Sequence, residues 1–299
     1  MRIILTGSKG FIGKNIHDRL KIYGEEVVEV NYEDCLDFRD TFDEWDTIDM
    51  VIHQGAISST TCTDLNKLHK YNIDYSVWLF EQAIKHQIPV KYASSASVYG
   101  GAAGSHTGFN WTINPLNFYA LSKLTVDYWV QDHMDEFISV QGFRYHNVYG
   151  PRMGFKHVIP HLVQRFRNNE NPFKIYGHDQ TRSFNFIDDA VEGTVKAMES
   201  GKNGEIYHIG DEIEISIEEL TRFTGKLLKF EGLYEYAPTY PGSVARRCPD
   251  ISKAKKDLNY IPKINWENGL RKTVEWYNDY LNNNPNLHES FYDTKKDEE

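Results

Sequence analysis

The chain has 299 residues, 40% of them hydrophobic, and a formal net charge of −10. That length suits one large or two small domains with a sizeable core, and the negative charge argues against a nucleic-acid backbone as partner. Cys35, Cys62 and Cys248 are scattered without C-x-x-C spacing, which fits a reducing cytoplasm and no structural metal; charges interrupt every apolar stretch, and no signal peptide, membrane span or lipidation motif is visible.

Arg2–Thr6 reads as a short buried strand, followed at once by Gly7-Ser8-Lys9-Gly10-Phe11-Ile12-Gly13 and a helical pattern from Asn15. Glycines between a first strand and a first helix let the backbone turn tightly and approach a pyrophosphate on the helix N-terminus. Further strands are expected at Glu26–Val30, Met50–Gln54, Val90–Ser94 and Val140–Phe143, with helices near 12–23, 62–87 and 117–135. This alternation predicts an α/β fold, a Rossmann-like doubly wound parallel sheet with helices on both faces. The second half has shorter strands and helices near 157–168, 189–200, 216–226 and 265–283. It reads as a smaller C-terminal α/β substrate-binding domain over the sheet's carboxyl edge, where open α/β folds bind ligands. The expected division is a dinucleotide-binding domain over 1–150 with a returning segment near 181–200, a substrate-binding domain mostly over 151–283, and a frayed polar tail over 284–299. Residues 100–105, rich in glycine, are a candidate mobile loop.

Tyr119 and Lys123 stand four apart in a helical pattern and so share a face. A free phenol is a poor base at neutral pH, and a nearby ammonium favours its ionised form. The pair can make a general acid/base. Alone, the spacing is as common as any surface pair; the glycine loop upstream gives it weight. His157 and His161 are also four apart, but Pro160 lies between them and no acidic ligand is near, so no metal site is expected.

These segments together resemble the extended short-chain dehydrogenase/reductase superfamily, the NAD(P)-dependent nucleotide-sugar epimerases and dehydratases, over roughly residues 1–280. The resemblance is carried by Thr6 through Gly13, Ile52-His53-Gln54-Gly55-Ala56, Tyr92 through Gly100, the Tyr119/Lys123 pair, and Arg144 through Arg152. Within it, residues 53–61 and 142–152 look most like the ADP-L-glycero-D-manno-heptose 6-epimerase branch, whereas 241–254 look like general nucleotide-sugar epimerases and decarboxylases. The resemblance implies a catalytic set of Ser95, Tyr119 and Lys123. Ser95 would hold the reacting sugar oxygen, Tyr119 would take its proton, and Lys123 would tune Tyr119 and hold the ribose. Lys156 follows as a second acid/base in the loop after Gly150. Dehydratases and decarboxylases of the family carry acids around the third position before the Gly of Val98-Tyr99-Gly100. This chain has Ala96 and Ser97 there, so dehydration and decarboxylation lose their expected acid.

The resemblance also implies that Gly7, Lys9, Gly10, Phe11, Ile12, Gly13, Asn31, Asp37, Phe38, Gln54, Gly55, Ala56, Tyr119, Lys123 and Tyr145 bind the cofactor. Neutral Asn31 at the end of the second strand, with Lys9 before Gly10, favours NADP over NAD, although Glu33 and Asp34 add negative charge close by. Substrate is expected at Ser58, Ser59, Ser95, Asn147, Arg182 and Arg246, with Arg182 and Arg246 on a diphosphate and Arg247 as the competing choice. A guanidinium fork matches two phosphate oxygens. The leading expectation is therefore an epimerase of a nucleotide-diphosphate sugar. It would oxidise its substrate transiently to a ketone and reduce it again, and work as a homodimer through helices 62–87 and 117–135. A reductase or dehydrogenase of the same fold, and a catalytically silent dinucleotide-binding sensor, are the alternatives.

Overall fold

A computed structural model describes residues 1–101, 113–239 and 243–284. Ile3 and Leu5 of the first strand, β1 (Arg2–Thr6), are buried on one face of a sheet and Ile4 on the other. Apolar side chains on both faces mark a strand covered on both sides. The chain continues through α1 (Phe11–Ile22), β2 (Glu26–Val30), α2 (Cys35–Thr41), β3 (Met50–His53), α3 (Leu65–Leu68), α4 (Tyr75–Lys85), β4 (Val90–Ser95), α5 (Phe118–Asp132) and β5 (Val140–Tyr145). A π-helical turn, His69–Asp74, joins α3 to α4. The expected strands and crossover helices of the first half are therefore present, with the 62–87 helix interrupted by that turn.

Next come β6 (Val148–Tyr149), α6 (Val158–Arg167), β7 (Phe173–Tyr176), β8 (Thr181–Ser183), β9 (Asn185–Phe186), α7 (Ile187–Glu199) and β10 (Glu205–Ile209). The chain ends in β11 (Glu214–Ser216), α8 (Ile217–Leu227), β12 (Tyr234–Ala237), β13 (Arg246–Arg247), α9 (Ser252–Leu258) and α10 (Trp266–Asn283). The main sheet is parallel throughout, in the order β10-β5-β4-β3-β1-β2. Its sixth strand, β10, comes from beyond the returning segment expected near 181–200, and α7 of that segment packs against α1.

Small two- and three-stranded sheets follow the carboxyl end of β5. β8 pairs with β11 antiparallel and with β13 in parallel, and β7 pairs with β12. Helices α6, α8 and α10 pack on one another around Phe166, Leu220 and Val274. Residues 102–105 of the glycine-rich loop, Pro241, Gly242 and the tail from Pro285 lie outside the described residues. Among the described residues no helix is long and apolar enough to cross a membrane.

Candidate active site

The turn after β1 is tight enough to demand its glycines. Gly7 has φ +69°, and a Cβ there would stand 2.8 Å from the backbone of Gly55. A Cβ on Gly13 would stand 2.0 Å from the Gly7 carbonyl oxygen, so α1 packs directly on the loop. Gly10 caps α1, whose first turn, from Phe11 and Ile12, holds no acidic residue. Its N-terminal N–H groups and dipole therefore favour an anion.

The other cofactor candidates are distributed unevenly around this loop. Asn31 is buried; its Oδ1 accepts from the Lys9 N–H at 2.9 Å and its Nδ2 donates to Ser8 Oγ at 3.0 Å. It braces the loop. The Lys9 ammonium, 3.7 Å from the Glu33 carboxylate, is in an ion pair. The charge offered to a 2′-phosphate is thus already opposed, and the expected preference for NADP finds no support here. Asp37 is exposed on α2. Phe38 turns inward and stacks on Phe42 at 4.5 Å, with Trp45 and Trp78 at its edge. Gln54, Gly55 and Ala56 follow β3 beside Gly7. The buried Gln54 side-chain amide faces the Tyr145 phenol, which it holds down against the rise from burial. Tyr145, at the end of β5, shares a 2.7 Å hydrogen bond with Thr194 of α7. A tight glycine loop and an acid-free helix N-terminus at one sheet edge fit a dinucleotide.

Ser95, Tyr119 and Lys123 meet at the same edge. Asn117 caps α5, accepting from the Ala120 N–H at 2.8 Å. This places Tyr119 in the first turn, facing the end of β4. Ser95 Oγ accepts from both the N–H of Ser97, at 3.1 Å, and its hydroxyl, at 2.8 Å. A hydroxyl has one hydrogen and two lone pairs. Both lone pairs of Ser95 are filled by Ser97, so its hydrogen goes to the Tyr119 phenol, to which it is hydrogen-bonded. Burial pushes the phenol above the ordinary tyrosine range, and the Ser95 bond pulls it back. Lys123 Nζ donates to the Ala93 carbonyl at 2.9 Å. Burial pushes this ammonium down to about 8, against the pull of Asp127. In this arrangement Ser95 is the group that holds the Tyr119 phenol down, and the Lys123 ammonium is engaged by the Ala93 carbonyl.

On the substrate side, Asn147 has φ +37° and its Nδ2 donates to the Ser183 carbonyl at 2.7 Å, which ties it to β8. Ser58 is exposed, and Ser59 shares a 2.9 Å bond with Thr61. Lys156 is exposed in the segment that enters α6. Arg246 is held by Glu214, with Nε at 2.8 and 2.9 Å from the two carboxylate oxygens. Its neighbour Arg247 is the register partner of Arg182 across β13 and β8. Arg182 spends its donors on backbone carbonyls and neutral side chains, including the Thr181 carbonyl at 2.7 Å and the Val244 carbonyl at 2.5 Å. Burial pushes its guanidinium down to about 10, and Arg247 pushes the same way. Burial also lowers Arg247. Among the described residues Arg246 is ion-paired with Glu214, whereas Arg182 and Arg247 make no ion pair with a carboxylate, Glu214 reaching Arg182 only through its charge.

Ser97 and Thr194 also stand at the candidate site, bonded to Ser95 and Tyr145. Ser97 carried a signal in the sequence as the hydroxyl standing where an acid was sought, and Arg247 as the competing choice to Arg246, whereas Thr194 carried none.

Residues 3–210 match the family model described as the NAD dependent epimerase/dehydratase family. Among solved structures, the chain is similar to the UDP-glucose 4-epimerase of Thermotoga maritima with UDP-glucose, at TM-score 0.85 and 25% identity over 94% of this chain and 100% of that one. It is similar to the UDP-glucuronic acid 4-epimerase of Bacillus cereus in complex with UDP-4-deoxy-4-fluoro-glucuronic acid and NAD, at TM-score 0.83 and 26% identity over 94% and 100%. The fold is shared with the UDP-N-acetylglucosamine 4-epimerase of Methanobrevibacter ruminantium, at TM-score 0.84 and 24% identity over 93% and 98%.

Proposed function

This chain belongs to the NAD dependent epimerase/dehydratase family, and on that premise we propose that it epimerises a nucleotide-diphosphate sugar through a transient ketone. The observation that carries the reading is the direction of the hydrogen bonds at Ser95. Ser97 donates to it twice, and Ser95 donates on to Tyr119. Such a group stabilises charge developing on a phenol or sugar oxygen. It places no carboxylate where water or carbon dioxide would have to be expelled.

Bound nicotinamide supplies a hydride acceptor that later returns the same hydride, together with a positive charge. Tyr119 takes the proton of the sugar hydroxyl as the carbon–hydrogen bond on that carbon breaks, which leaves a ketone. Inversion follows when the ketone presents its other face, the hydride returns, and Tyr119 gives the proton back. No oxidant is consumed over the cycle. Lys123 and the Gly7–Gly13 loop would hold the cofactor's ribose and pyrophosphate. NAD is the cofactor we propose, because Glu33 opposes Lys9 and because the Bacillus cereus neighbour binds NAD. Lys156 remains the candidate for a second proton donor; unchanged turnover in Lys156→Ala removes it.

The substrate class we propose is a UDP-sugar inverted at carbon 4, as the names of the neighbours at 25% and 26% identity indicate. Its diphosphate falls to Arg182 and Arg247. Phe118, Leu121 and Tyr128 are 43%, 49% and 53% exposed on α5, at a 3-4-3 helical spacing with Thr125. This apolar stripe supports a homodimer through that helix. The three cysteines are free and buried, which supports a reducing, cytoplasmic setting.

The test is a turnover screen of UDP-, ADP-, GDP- and dTDP-sugars with purified protein and NAD, product stereochemistry being read by NMR. Inversion at one carbon with no net reduced cofactor is expected. Stoichiometric release of reduced nicotinamide would make the protein a dehydrogenase; no product from any sugar would end the epimerase reading.

A further inference from the structure

His53, at the end of β3, is buried between Thr6 and Ser76. Its Nδ1 lies 2.7 Å from Thr6 Oγ1 and its Nε2 lies 2.8 Å from Ser76 Oγ. The directions of these bonds are forced by what lies beyond them. Ser76 gives its only hydrogen to the Asn72 carbonyl, at 2.7 Å, so its oxygen must accept from an N–H on His53 Nε2. With the hydrogen on Nε2, Nδ1 of a neutral ring is bare and accepts from the Thr6 hydroxyl, whose oxygen also accepts from the Gly55 N–H at 2.9 Å. The ring is thus a neutral imidazole protonated only at Nε2.

The chain of bonds continues without a break. Asn72 sits in the π-helical turn between α3 and α4, a feature that proteins often keep at functional sites. Its side chain clamps Ile57, accepting from the N–H at 2.8 Å and donating to the carbonyl at 3.0 Å. It also donates to Ser122 Oγ at 3.0 Å, and Ser122 gives its hydrogen to the Tyr119 carbonyl at 2.8 Å. One end of this path is the Gly55 backbone, against which Gly7 packs. The other is the first turn of α5, which carries the Tyr119 phenol.

We infer that His53 is a positioning residue: held in one neutral tautomer, it joins the glycine loop that faces the dinucleotide to the helix turn that carries Tyr119. The surroundings favour that tautomer. The rings of Tyr75 and Phe80 stand 6.2 and 5.6 Å from the imidazole. Burial and the Lys123 ammonium push it down to about 3. A charged ring would carry a hydrogen on Nδ1 as well, which would reverse the Thr6–His53 bond and turn the Thr6 hydrogen away from the ring. Protonation would thus reorient the path between the loop and Tyr119 and leave a buried charge with no counter-ion beside it among the described residues.

The role in turnover rests on Tyr119 being the proton carrier, whereas the bonding pattern does not, and the experiment separates the two. Histidine-selective ¹⁵N labelling of the full chain with NAD, assigned by comparison with His53→Gln, reads the ring directly. The expected signature is a bare Nδ1 and a protonated Nε2, unchanged from about pH 5 to about pH 9. A ring that protonates in that range, or carries its hydrogen on Nδ1, overturns the inference whether or not any sugar is turned over. In kinetics, His53→Leu should lose kcat by on the order of 10- to 100-fold with substrate KM and bound NAD unchanged. His53→Gln, whose amide can both accept and donate, should recover most of that loss. Should His53→Leu fail to fold, Ser76→Ala removes a single hydroxyl and is expected to shift the Nε2–H signal and lower kcat. Equal loss in the Gln and Leu variants, or a loss seen only in KM, refutes positioning.

Discussion

Arg247 stands opposite Arg182 across the parallel strands β13 and β8, and its charge disfavours that of Arg182. Two guanidinium groups side by side with no directly paired carboxylate among the described residues raise the energy of the protein until an anion arrives. Arg246, one residue earlier, is already satisfied by Glu214. Arg247→Ala should therefore raise the KM of a nucleotide-diphosphate sugar about 10- to 100-fold, the worth of one or two charged hydrogen bonds. It should leave thermal stability unchanged or slightly higher. Arg246→Ala should move KM less and stability more. Steady-state kinetics and melting curves of the two variants check this, and the reverse ranking would return the diphosphate to Arg246.

Ser95 and Tyr119 set the pH at which the site can act as a base. The phenol is raised by burial and lowered by Ser95, so turnover should climb with pH as the phenol ionises. Tyr119→Phe should reduce kcat by at least about 10²-fold, with NAD binding kept. Ser95→Ala removes the lowering bond, so the rising limb should move to higher pH. Ser97→Ala should shift it in the same direction by less, because it weakens Ser95 from behind. Complete pH–rate profiles of the variants check the order; a limb that stays fixed in Ser95→Ala would detach the two residues.

The parts of this site that lie within one segment were legible from the order of residues. A strand, a glycine turn and a helix in succession define the loop over Gly7–Gly13, and one helix turn defines the spacing of Tyr119 and Lys123. Relations between segments were not. Whether Arg246 or Arg247 faces Arg182 depends on strand register, because neighbouring residues of a strand point to opposite faces. Lys9 looked like a free cation because its partner, Glu33, is 24 positions away and reaches it only through the β1–β2 pairing. Phe38 belongs to an aromatic cluster that includes Trp78 of a different helix. The π-helical turn carrying Asn72 lies inside an apolar pattern that reads as plain helix. The resemblance of residues 53–61 and 142–152 to heptose epimerases concerns stretches beside the shared catalytic set, whereas the solved neighbours carry 4-epimerase names.

Two strongly depressed imidazoles, buried His53 and half-buried His208, make the fold sensitive to acid. His53 is pushed down to about 3 by burial and Lys123, and His208 to about 4 by burial. His208 is fixed by Tyr99 at Nε2 and by the Asp250 carbonyl at Nδ1. A depressed folded value means that the unfolded chain takes up a proton first. The stability these groups contribute is present above their ordinary value near 6.5 and is lost as pH falls toward 4 and 3. Each ring gives a slope of about 1.4 kcal/mol per pH unit within its window. Urea unfolding at neutral and mildly acidic pH should show this fall, and His208→Gln should remove part of it, the rest staying with His53 and with His157 and His161, which burial also lowers. A flat profile through the window would contradict burial as the cause.

Lys91 offers a test at the alkaline end of the pH range. It is 2% exposed, and its ammonium donates to the Gln141 side-chain carbonyl, a neutral partner. Burial pushes it down to about 8. At neutral pH the folded protein therefore holds a desolvated cation that the unfolded chain would solvate, at a cost of about 1–3 kcal/mol. Lys91→Met keeps the length and apolar character of the side chain and removes the charge. It should stabilise the protein by that amount near pH 7, reduced by whatever the Gln141 carbonyl loses with its donor. The sign with pH follows from the depressed value. Above about 8 the native lysine sheds its proton while the unfolded one keeps it until about 10.5. The wild type therefore regains stability across that interval, and the advantage of Lys91→Met should shrink. Chemical denaturation of both proteins on either side of the interval measures the difference. A variant that is less stable at neutral pH would mean that the Lys91–Gln141 bond outweighs the burial of the charge.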